Sequence, residues 1–161
     1  CYQYLKQQVL SGVNAIQIFD SWADLLSVSE LDLFSLSYTK KITQKLKNDP
    51  ITKHIPIILF EKSPKKNITD IVFKDLSCIS LHWNSDIRIL SQSLKNDIAI
   101  QGNLDPKVLN ESDEMIQEEV RKICSTMKDY PGFIFNLGHG ITPDIKPAKV
   151  EVMIQAIREY I

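Results

Sequence analysis

Phe133-Ile-Phe-Asn-Leu-Gly-His-Gly-Ile-Thr-Pro-Asp144 is the stretch of this chain that says most about its fold. An apolar run of strand character comes first, and a loop follows in which two glycines flank His139. Glycine lets the backbone turn sharply and leaves little side-chain bulk beside the imidazole. The pattern predicts a β-strand with a histidine at its carboxyl end, where α/β proteins place their ligands. His139 is then either a ligand-binding side chain or a histidine satisfied within its own turn.

The rhythm of strand, loop and helix extends along the whole chain. Apolar runs predict strands at residues 14–19, 55–60, 78–81, 98–100 and 133–135, and helical periodicity predicts helices at 1–11, 29–48, 68–74, 86–94, 112–127 and from Pro147 onward. Alternating β and α segments are typical of a parallel sheet with right-handed crossovers. No glycine-rich phosphate fingerprint follows the first strand, and five units are too few for a closed barrel. The sequence predicts an α/β fold, the C-terminal part of a (β/α)8 TIM barrel with about five βα units.

Residue patterns within the helices predict which side chains enter the core. The long helix after the first strand is expected to bury the stripe Leu31, Phe34, Tyr38, Ile42 and Leu46. The last helix is expected to turn Val150, Met153, Ile154, Ile157 and Ile161 inward. Asp105 precedes Pro106, which is the pattern of a helix N-cap followed by proline in the first turn.

Polar or small residues follow every predicted strand, and in a parallel sheet they would share one edge. These segments are Asp20-Ser21, Lys62-Ser63, His82-Trp83, Gln101-Gly102-Asn103 and Asn136-Leu-Gly-His139. Asp20 either anchors its own loop or contacts a ligand. Trp22 is expected to pack within its loop, and Gln101 and Asn103 to satisfy loop backbone groups. His54 precedes a strand and is discounted as a site residue.

Composition excludes several classes of function. The chain has 161 residues and a net charge of −1 with no basic run, so no nucleic-acid surface is indicated. Its apolar runs are far shorter than a membrane span. Cys1, Cys78 and Cys124 lack the spacing of metal ligands, which predicts ordinary thiols in a cytoplasmic protein and no metal site. Because the chain begins at Cys1, we expect one domain over residues 1–161 that is a truncated barrel lacking its N-terminal half.

Three motifs, at residues 17–23, 101–106 and 135–144, resemble successive signatures of the uroporphyrinogen decarboxylase family, in that family's order. Weaker similarities are Phe60 with Lys62 and Leu81 with Trp83. The resemblance implies a single-domain TIM barrel that acts as a homodimer without a cofactor. It also implies a reaction in which the four acetate side chains of uroporphyrinogen lose CO2 to give coproporphyrinogen in haem biosynthesis.

The same resemblance implies which residues bind the substrate. Ser21 corresponds to a serine that hydrogen-bonds the substrate, His139 to a histidine of the substrate cleft, and Asp20 is included beside Ser21. No catalytic residue is assigned in this chain. Binding a substrate with eight carboxylates calls for arginines, and the three present are predicted on helices away from the strand ends, at Arg88, Arg121 and Arg158. We therefore expect this polypeptide to be inactive by itself.

Three positions depart from the family pattern, and two other functions stay open. Asp24 and Ser63 stand where glycine is usual, and His82 stands where an aspartate before tryptophan is typical. These changes favour, as one alternative, a non-catalytic paralogue that binds a tetrapyrrole or a partner. The other alternative is a corrinoid-related methyltransferase on the same fold, although the cysteine and histidine zinc ligands it needs are missing after the second strand.

Overall fold

The computed structural model describes residues 1–62, 68–94 and 98–160, which belong to two compact units, Cys1–Ile79 and Ser80–Ile161. Ser63, the apolar position Ile161 and most of the loop predicted after the second strand lie outside the described residues. Each unit contains parallel strand pairs covered by helices, as the alternating sequence pattern predicts. No helix within the described residues has both the length and the apolar character needed to cross a membrane.

Unit 1 contains the first two strands and the helices that cover them. Its elements are α1 (Tyr2–Leu10), β1 (Ile16–Asp20), a 3-10 turn (Ala23–Leu25), α2 (Val28–Leu31), a π turn (Asp32–Leu36), α3 (Ser37–Asn48), β2 (Ile57–Glu61) and α4 (Ile68–Ile71). β1 and β2 are parallel, with Asp20 beside Glu61 at their carboxyl ends. β3 (Cys78–Ser80) begins in this unit, where the N–H of Ser77 donates to the Ile57 carbonyl.

The long helix predicted after β1 is present, but the prediction of its buried stripe is partly wrong. Leu31 and Leu46 are buried, whereas Tyr38 is 57% exposed and Phe34 is exposed as well. The π turn Asp32–Leu36 lies between α2 and α3. A π turn adds one residue to the helical repeat and so rotates every later position around the axis. The buried positions are Ser35 and Leu36 within the turn and Thr39, Thr43 and Leu46 after it.

Unit 2 contains the other strands and three helices of eight residues or more. Its elements are the end of β3, α5 (Ile87–Leu94), β4 (Ala99–Leu104), a 3-10 turn (Pro106–Asn110), α6 (Asp113–Met127), β5 (Phe133–Leu137) and α7 (Pro147–Arg158). β4 and β5 are parallel, and the N–H of Leu81, directly after β3, donates to the Gln101 carbonyl of β4. Asp105 caps the 3-10 turn by accepting from the Lys107 N–H at 3.0 Å, which confirms the predicted cap.

The core of unit 2 forms where α6 and α7 cover the sheet. Its buried members are Leu104, Leu109, Ile116, Val120, Ile145, Met153 and Ala156. On α6, Ile116, Val120 and Met127 are buried and Ile123 packs against the core. On α7 the prediction for Ile154 is wrong, since Ala156 takes the inward position and Ile154 is exposed.

Strands β4 and β5 run further than their apolar residues indicate. Gln101 to Asn103, predicted as loop, pair in register with Ile134 to Asn136. Backbone pairing to a neighbouring strand decides the conformation here, and the polar side chains of Gln101 and Asn103 are buried with partners of their own. β4 and β5 therefore extend to Leu104 and Leu137, and the Gly138 N–H donates to the Leu104 carbonyl at 2.8 Å.

Candidate functional site

Asp20 is the last residue of β1, and it accepts two hydrogen bonds within unit 1. Its Oδ2 accepts a hydrogen bond from the hydroxyl of Ser35 in the π turn. Its carbonyl accepts from the Lys62 N–H at 3.1 Å, which continues the β1–β2 pairing past the end of the strand. The partner of the carboxylate is thus in the helix that follows and not in the loop after Asp20. This contact fixes the carboxylate of Asp20, and the next residue along the chain, Ser21, is half-buried.

Trp22 does not pack in its loop as predicted. Its side chain is 74% exposed, because the 3-10 turn Ala23–Leu25 begins immediately and buries Ala23 in its place. A large apolar ring in this position adds exposed aromatic surface beside Ser21.

Asp24 and Lys62 form an ion pair at the carboxyl ends of β1 and β2. Lys62 Nζ lies 3.1 Å from Asp24 Oδ2, and both side chains are partly exposed. The pair joins the turn after β1 to the first residue after β2. Asp24 thus places a carboxylate against the lysine that follows β2.

In unit 2, Asn103 ties β4 to the loop that follows β3. Its side-chain amide donates to the carbonyl of His82 at 3.0 Å and to the carbonyl of Ser85 at 2.8 Å. Gln101, two residues earlier on the same face, donates to the Ser80 hydroxyl at 3.0 Å. The prediction that Asn103 satisfies loop backbone groups is confirmed, whereas Gln101 donates to a side chain.

Two imidazoles meet at the carboxyl ends of these strands. The rings of His82 and His139 have centroids 6.0 Å apart and planes at 88°, an edge-on arrangement. His82 is buried, at 8% exposure, and its ring also contacts that of Trp83 at 5.1 Å. His139 is exposed. One ring is therefore anchored in the protein, and the other stands where it can reach a ligand.

Gly138 makes the approach of the two loops possible. A Cβ atom at this position would lie 2.2 Å from the main-chain nitrogen of Trp83, closer than any packed structure allows. The absence of a side chain lets the His139 loop lie directly against the Trp83 backbone. Gly140, on the other side of His139, faces open space.

The chemistry open to this part of unit 2 is recognition of an anionic group. An imidazole N–H donates to a carboxylate oxygen, and with a reference pKa near 6.5 the histidine side chain can also move a proton around neutral pH. Arg88, Arg121 and Arg158 lie on α5, α6 and α7, as predicted. Arg88 and Arg121 are next to Asp86 at 3.6 Å and Glu118 at 2.5 Å.

The thiols and an apolar groove of unit 2 are the other candidate features. Burial raises the pKa of the Cys78 thiol to about 12 and also raises that of Cys124, which disfavours a thiolate nucleophile at either position. A groove of about 550 Å³ includes Cys124, Tyr130 and Phe133 in its lining, at the amino end of β5. Within residues 1–62, 68–94 and 98–160, no three His, Cys, Asp or Glu side chains come close enough to hold a metal ion.

Of the predicted substrate-binding residues, Asp20 and Ser21 lie in unit 1 and His139 lies in unit 2. Sequence reasoning missed the contact between His82 and His139 and the role of Asn103 in holding the His82 loop. Their position in the sequence could have indicated this contact, because His82, Asn103 and His139 each lie at or just after the end of a strand, and the ends of parallel strands share one edge of a sheet.

The chain is similar to known proteins over almost its whole length. The family model for uroporphyrinogen decarboxylase matches residues 1–160. The uroporphyrinogen decarboxylase of Vesicomyosocius okutanii is 39% identical over 157 residues, which are 98% of this chain and 45% of that protein. The one from Chloroherpeton thalassium is 40% identical over 161 residues, covering 97% of this chain and 44% of that protein. This chain thus spans about half the length of the curated relatives it matches.

A solved structure, a methyltransferase from Methanosarcina mazei, superposes with a TM-score of 0.75 at 17% identity, covering 99% of this chain and 46% of that one. At this identity the likeness shows the fold alone. It confirms the predicted fold class, an α/β chain in which five parallel strands alternate with helices in a partial TIM-barrel-like fold. The match to the family model over residues 1–160 settles the relationship, and the chain belongs to the uroporphyrinogen decarboxylase family.

Proposed function

We propose that the whole polypeptide decarboxylates uroporphyrinogen III at its four acetate side chains and releases coproporphyrinogen III for porphyrin biosynthesis. The observation that carries this proposal is the family match over residues 1–160. The relatives named above are themselves described as uroporphyrinogen decarboxylases. The proposal includes a homodimer in the cytoplasm that works without a cofactor.

The reaction needs an electron sink, and the substrate can supply it. Protonation of a pyrrole carbon makes the ring cationic, and the bond between the acetate methylene and its carboxylate then breaks. CO2 leaves, the bonding electrons flow into the ring, and an exocyclic methylene is formed. A proton adds to that methylene to give a methyl group, and the ring loses the proton it first gained. Each turn of this cycle consumes one proton and releases one CO2, so the protein must orient the ring, deliver protons and stabilise the cation.

We assign substrate binding to three residues of this chain. His139 is exposed after β5 and donates an imidazole N–H to a substrate carboxylate. Ser21 supplies a hydroxyl to the substrate from the end of β1. The carboxylate of Asp20, held by the Ser35 hydroxyl, lies beside Ser21 and completes that part of the binding site. No residue here is assigned to proton transfer.

The charge of this chain bears on what it can do alone. Eight substrate carboxylates call for bidentate arginine partners, and Arg88, Arg121 and Arg158 lie on helices. The ion pair of Asp24 with Lys62 engages a further cation at the ends of the strands. We therefore propose that these 161 residues by themselves do not turn over uroporphyrinogen.

His139→Ala tests the assignment of the binding residues in the whole polypeptide. A hydrogen bond to a charged group contributes about 1.5–3 kcal/mol, so KM for uroporphyrinogen should rise about 10- to 100-fold, with a smaller change in kcat. Ser21→Ala should raise KM as well. His54→Ala is the matched control, because His54 is exposed near the amino end of β2 and should leave both constants unchanged. An unchanged KM in His139→Ala would refute the role given to His139.

A second candidate is a non-catalytic family member that binds a tetrapyrrole, favoured by the histidine at position 82 and the ion pair of Asp24. Equilibrium binding of uroporphyrinogen or uroporphyrin by the wild-type polypeptide, with no product after prolonged incubation, would support this second function over the first.

A further inference from the structure

We propose that His82 is a positioning residue for His139, which it orients for the substrate carboxylate through a chain of contacts reaching back to Asn103. The consequence for substrate binding rests on the proposed function, but the orientation itself does not.

The first step is that the His82 ring is fixed. Its Nδ1 lies 2.6 Å from Oδ1 of Asn84. An amide oxygen only accepts, so Nδ1 carries the proton and donates it. The main-chain N–H of Asn84 is 3.5 Å from the same nitrogen, at the limit for a hydrogen bond, and does not compete with the shorter contact. Burial of His82 and its contact with the Trp83 ring further restrict the rotation of the imidazole.

The second step is that the loop bearing His82 is itself fixed to the sheet. Asn103, 6% exposed on β4, donates to the carbonyls of His82 and Ser85 and thus holds the loop between β3 and α5 at two points. Two hydrogen bonds from one side chain, the one to His82 buried, hold the backbone of the loop in a single arrangement. The position of the His82 ring is therefore set by strand β4.

The third step is the transfer of this rigidity to His139. The His139 loop lies against the Trp83 backbone because Gly138 has no side chain. The two imidazoles then meet edge-on at 6.0 Å. Aromatic rings in this arrangement attract each other beyond the effect of their area of contact. This attraction restricts the rotamers of the exposed His139 ring, so less side-chain entropy is lost when a carboxylate binds.

Orientation is tested first without substrate. The whole polypeptide is labelled with ¹³C-histidine, and the His139 ring signal is identified as the one lost in His139→Asn. His82→Ala should move this signal, because a neighbouring ring has been removed, whereas His54→Ala should not. An unmoved His139 signal in His82→Ala would overturn the proposal whether or not the protein turns over uroporphyrinogen.

The kinetic test is a double-mutant cycle in the same polypeptide. His82→Ala should raise KM about tenfold in the wild-type background and less than about twofold when His139 is already alanine, because the effect passes through His139. His82→Phe restores a ring against His139 and should recover part of the loss. The same rise in KM in both backgrounds, with no recovery in His82→Phe, would mean that His82 acts on folding or on the substrate directly and would overturn the proposal.

The NMR test and the kinetic test together distinguish this inference from the proposed function. A wild-type polypeptide without turnover would refute decarboxylation, and the histidine signals would then decide the positioning role alone. Thermal midpoints of all variants are measured alongside. His82→Ala could instead lower the thermal midpoint enough to account for its whole loss of activity while the His139 signal stays unmoved. That result would show that His82 is only a packing residue and would contradict the inference.

Discussion

The packing of the candidate site in unit 2 depends on the absence of a side chain at Gly138. Its Cβ would fall 2.2 Å from the Trp83 nitrogen and 2.5 Å from the Trp83 Cα, both main-chain atoms. Backbone cannot step aside as the end of a flexible side chain can, so Gly138→Ala must displace one of the two loops. Overpacking of this kind costs about 1–3 kcal/mol.

We therefore expect Gly138→Ala to lower the thermal midpoint by several degrees and to raise KM by displacing His139. Gly140→Ala is the matched control on the other side of the same histidine, because nothing lies within 4 Å of its Cβ position. Equal effects of the two substitutions on the midpoint and on KM would show that the loop is not packed as described.

Single residues also mark how far the sequence could predict the site. The place of His139 just after a strand was predictable because two glycines flank it at the end of an apolar run, and the Asp105 cap was predictable from the proline that follows it. The His82–His139 contact was not predictable in the same way, since it depends on the distance between two loops separated by more than fifty residues. Trp22 was misjudged because burial depends on neighbours that a local pattern does not contain.

Among the elements, α1 is joined to the end of α3 by a cluster centred on Asp49. Lys6 Nζ lies 2.6 Å from Asp49 Oδ2, the Tyr2 hydroxyl donates to the same oxygen, and the Ile51 N–H donates to Oδ1 at 2.9 Å. Hydrogen bonds from Lys6, Tyr2 and Ile51, in that order of importance, lower the pKa of Asp49 from 3.8 to about 2. The folded protein thus binds this proton less tightly than the unfolded chain does.

The sign of the pH dependence follows from that difference. Stability from the cluster is present above about pH 4 and is lost as the pH falls toward 2. Asp49→Asn should lower the thermal midpoint at pH 7, and its difference from wild type should shrink as the pH approaches 2. Tyr2→Phe removes one of the donors and should give a smaller decrease. A midpoint difference that stays constant from pH 7 to pH 2 would contradict the lowered pKa.

Helix α6 supplies the centre of the core of unit 2. Ile116 is fully buried there, whereas the preceding residue, Met115, is exposed. Ile116→Ala should lower the free energy of unfolding by about 2–5 kcal/mol through lost burial and an unfilled cavity. Met115→Ala should change it by no more than about 0.5 kcal/mol. Urea denaturation of the two variants is the measurement, and similar losses from both would show that α6 packs by another face.

At this scale the sequence predicts elements well and helix faces less well. Periodicity located α6 and α7, with α7 beginning at Pro147 as expected. The face of α3 was misassigned because a π turn has no distinctive residue pattern and yet rotates everything after it. β4 was predicted too short, because Gln101 and Asn103 are polar residues that the sheet buries with hydrogen-bond partners.

The molecule as a whole is an α/β chain of the uroporphyrinogen decarboxylase family that spans about half the length of its curated relatives. Family membership rests on a match over residues 1–160, and three short motifs at strand ends were enough to indicate it from the sequence. The reaction itself remains the proposal, because it needs cationic partners for many carboxylates as well as the histidine and serine assigned above.

The most direct test is to incubate the whole polypeptide with uroporphyrinogen III without oxygen and to identify the products by chromatography after oxidation to porphyrins. The 161-residue chain alone is assayed in parallel, with the intact mass of each sample measured first. We predict coproporphyrin, formed by the loss of four carboxyl groups, from the whole polypeptide and unchanged uroporphyrin from the chain alone. Unchanged uroporphyrin from a folded whole polypeptide would contradict the proposed decarboxylase activity, and coproporphyrin from the 161-residue chain would contradict the inactivity proposed for it.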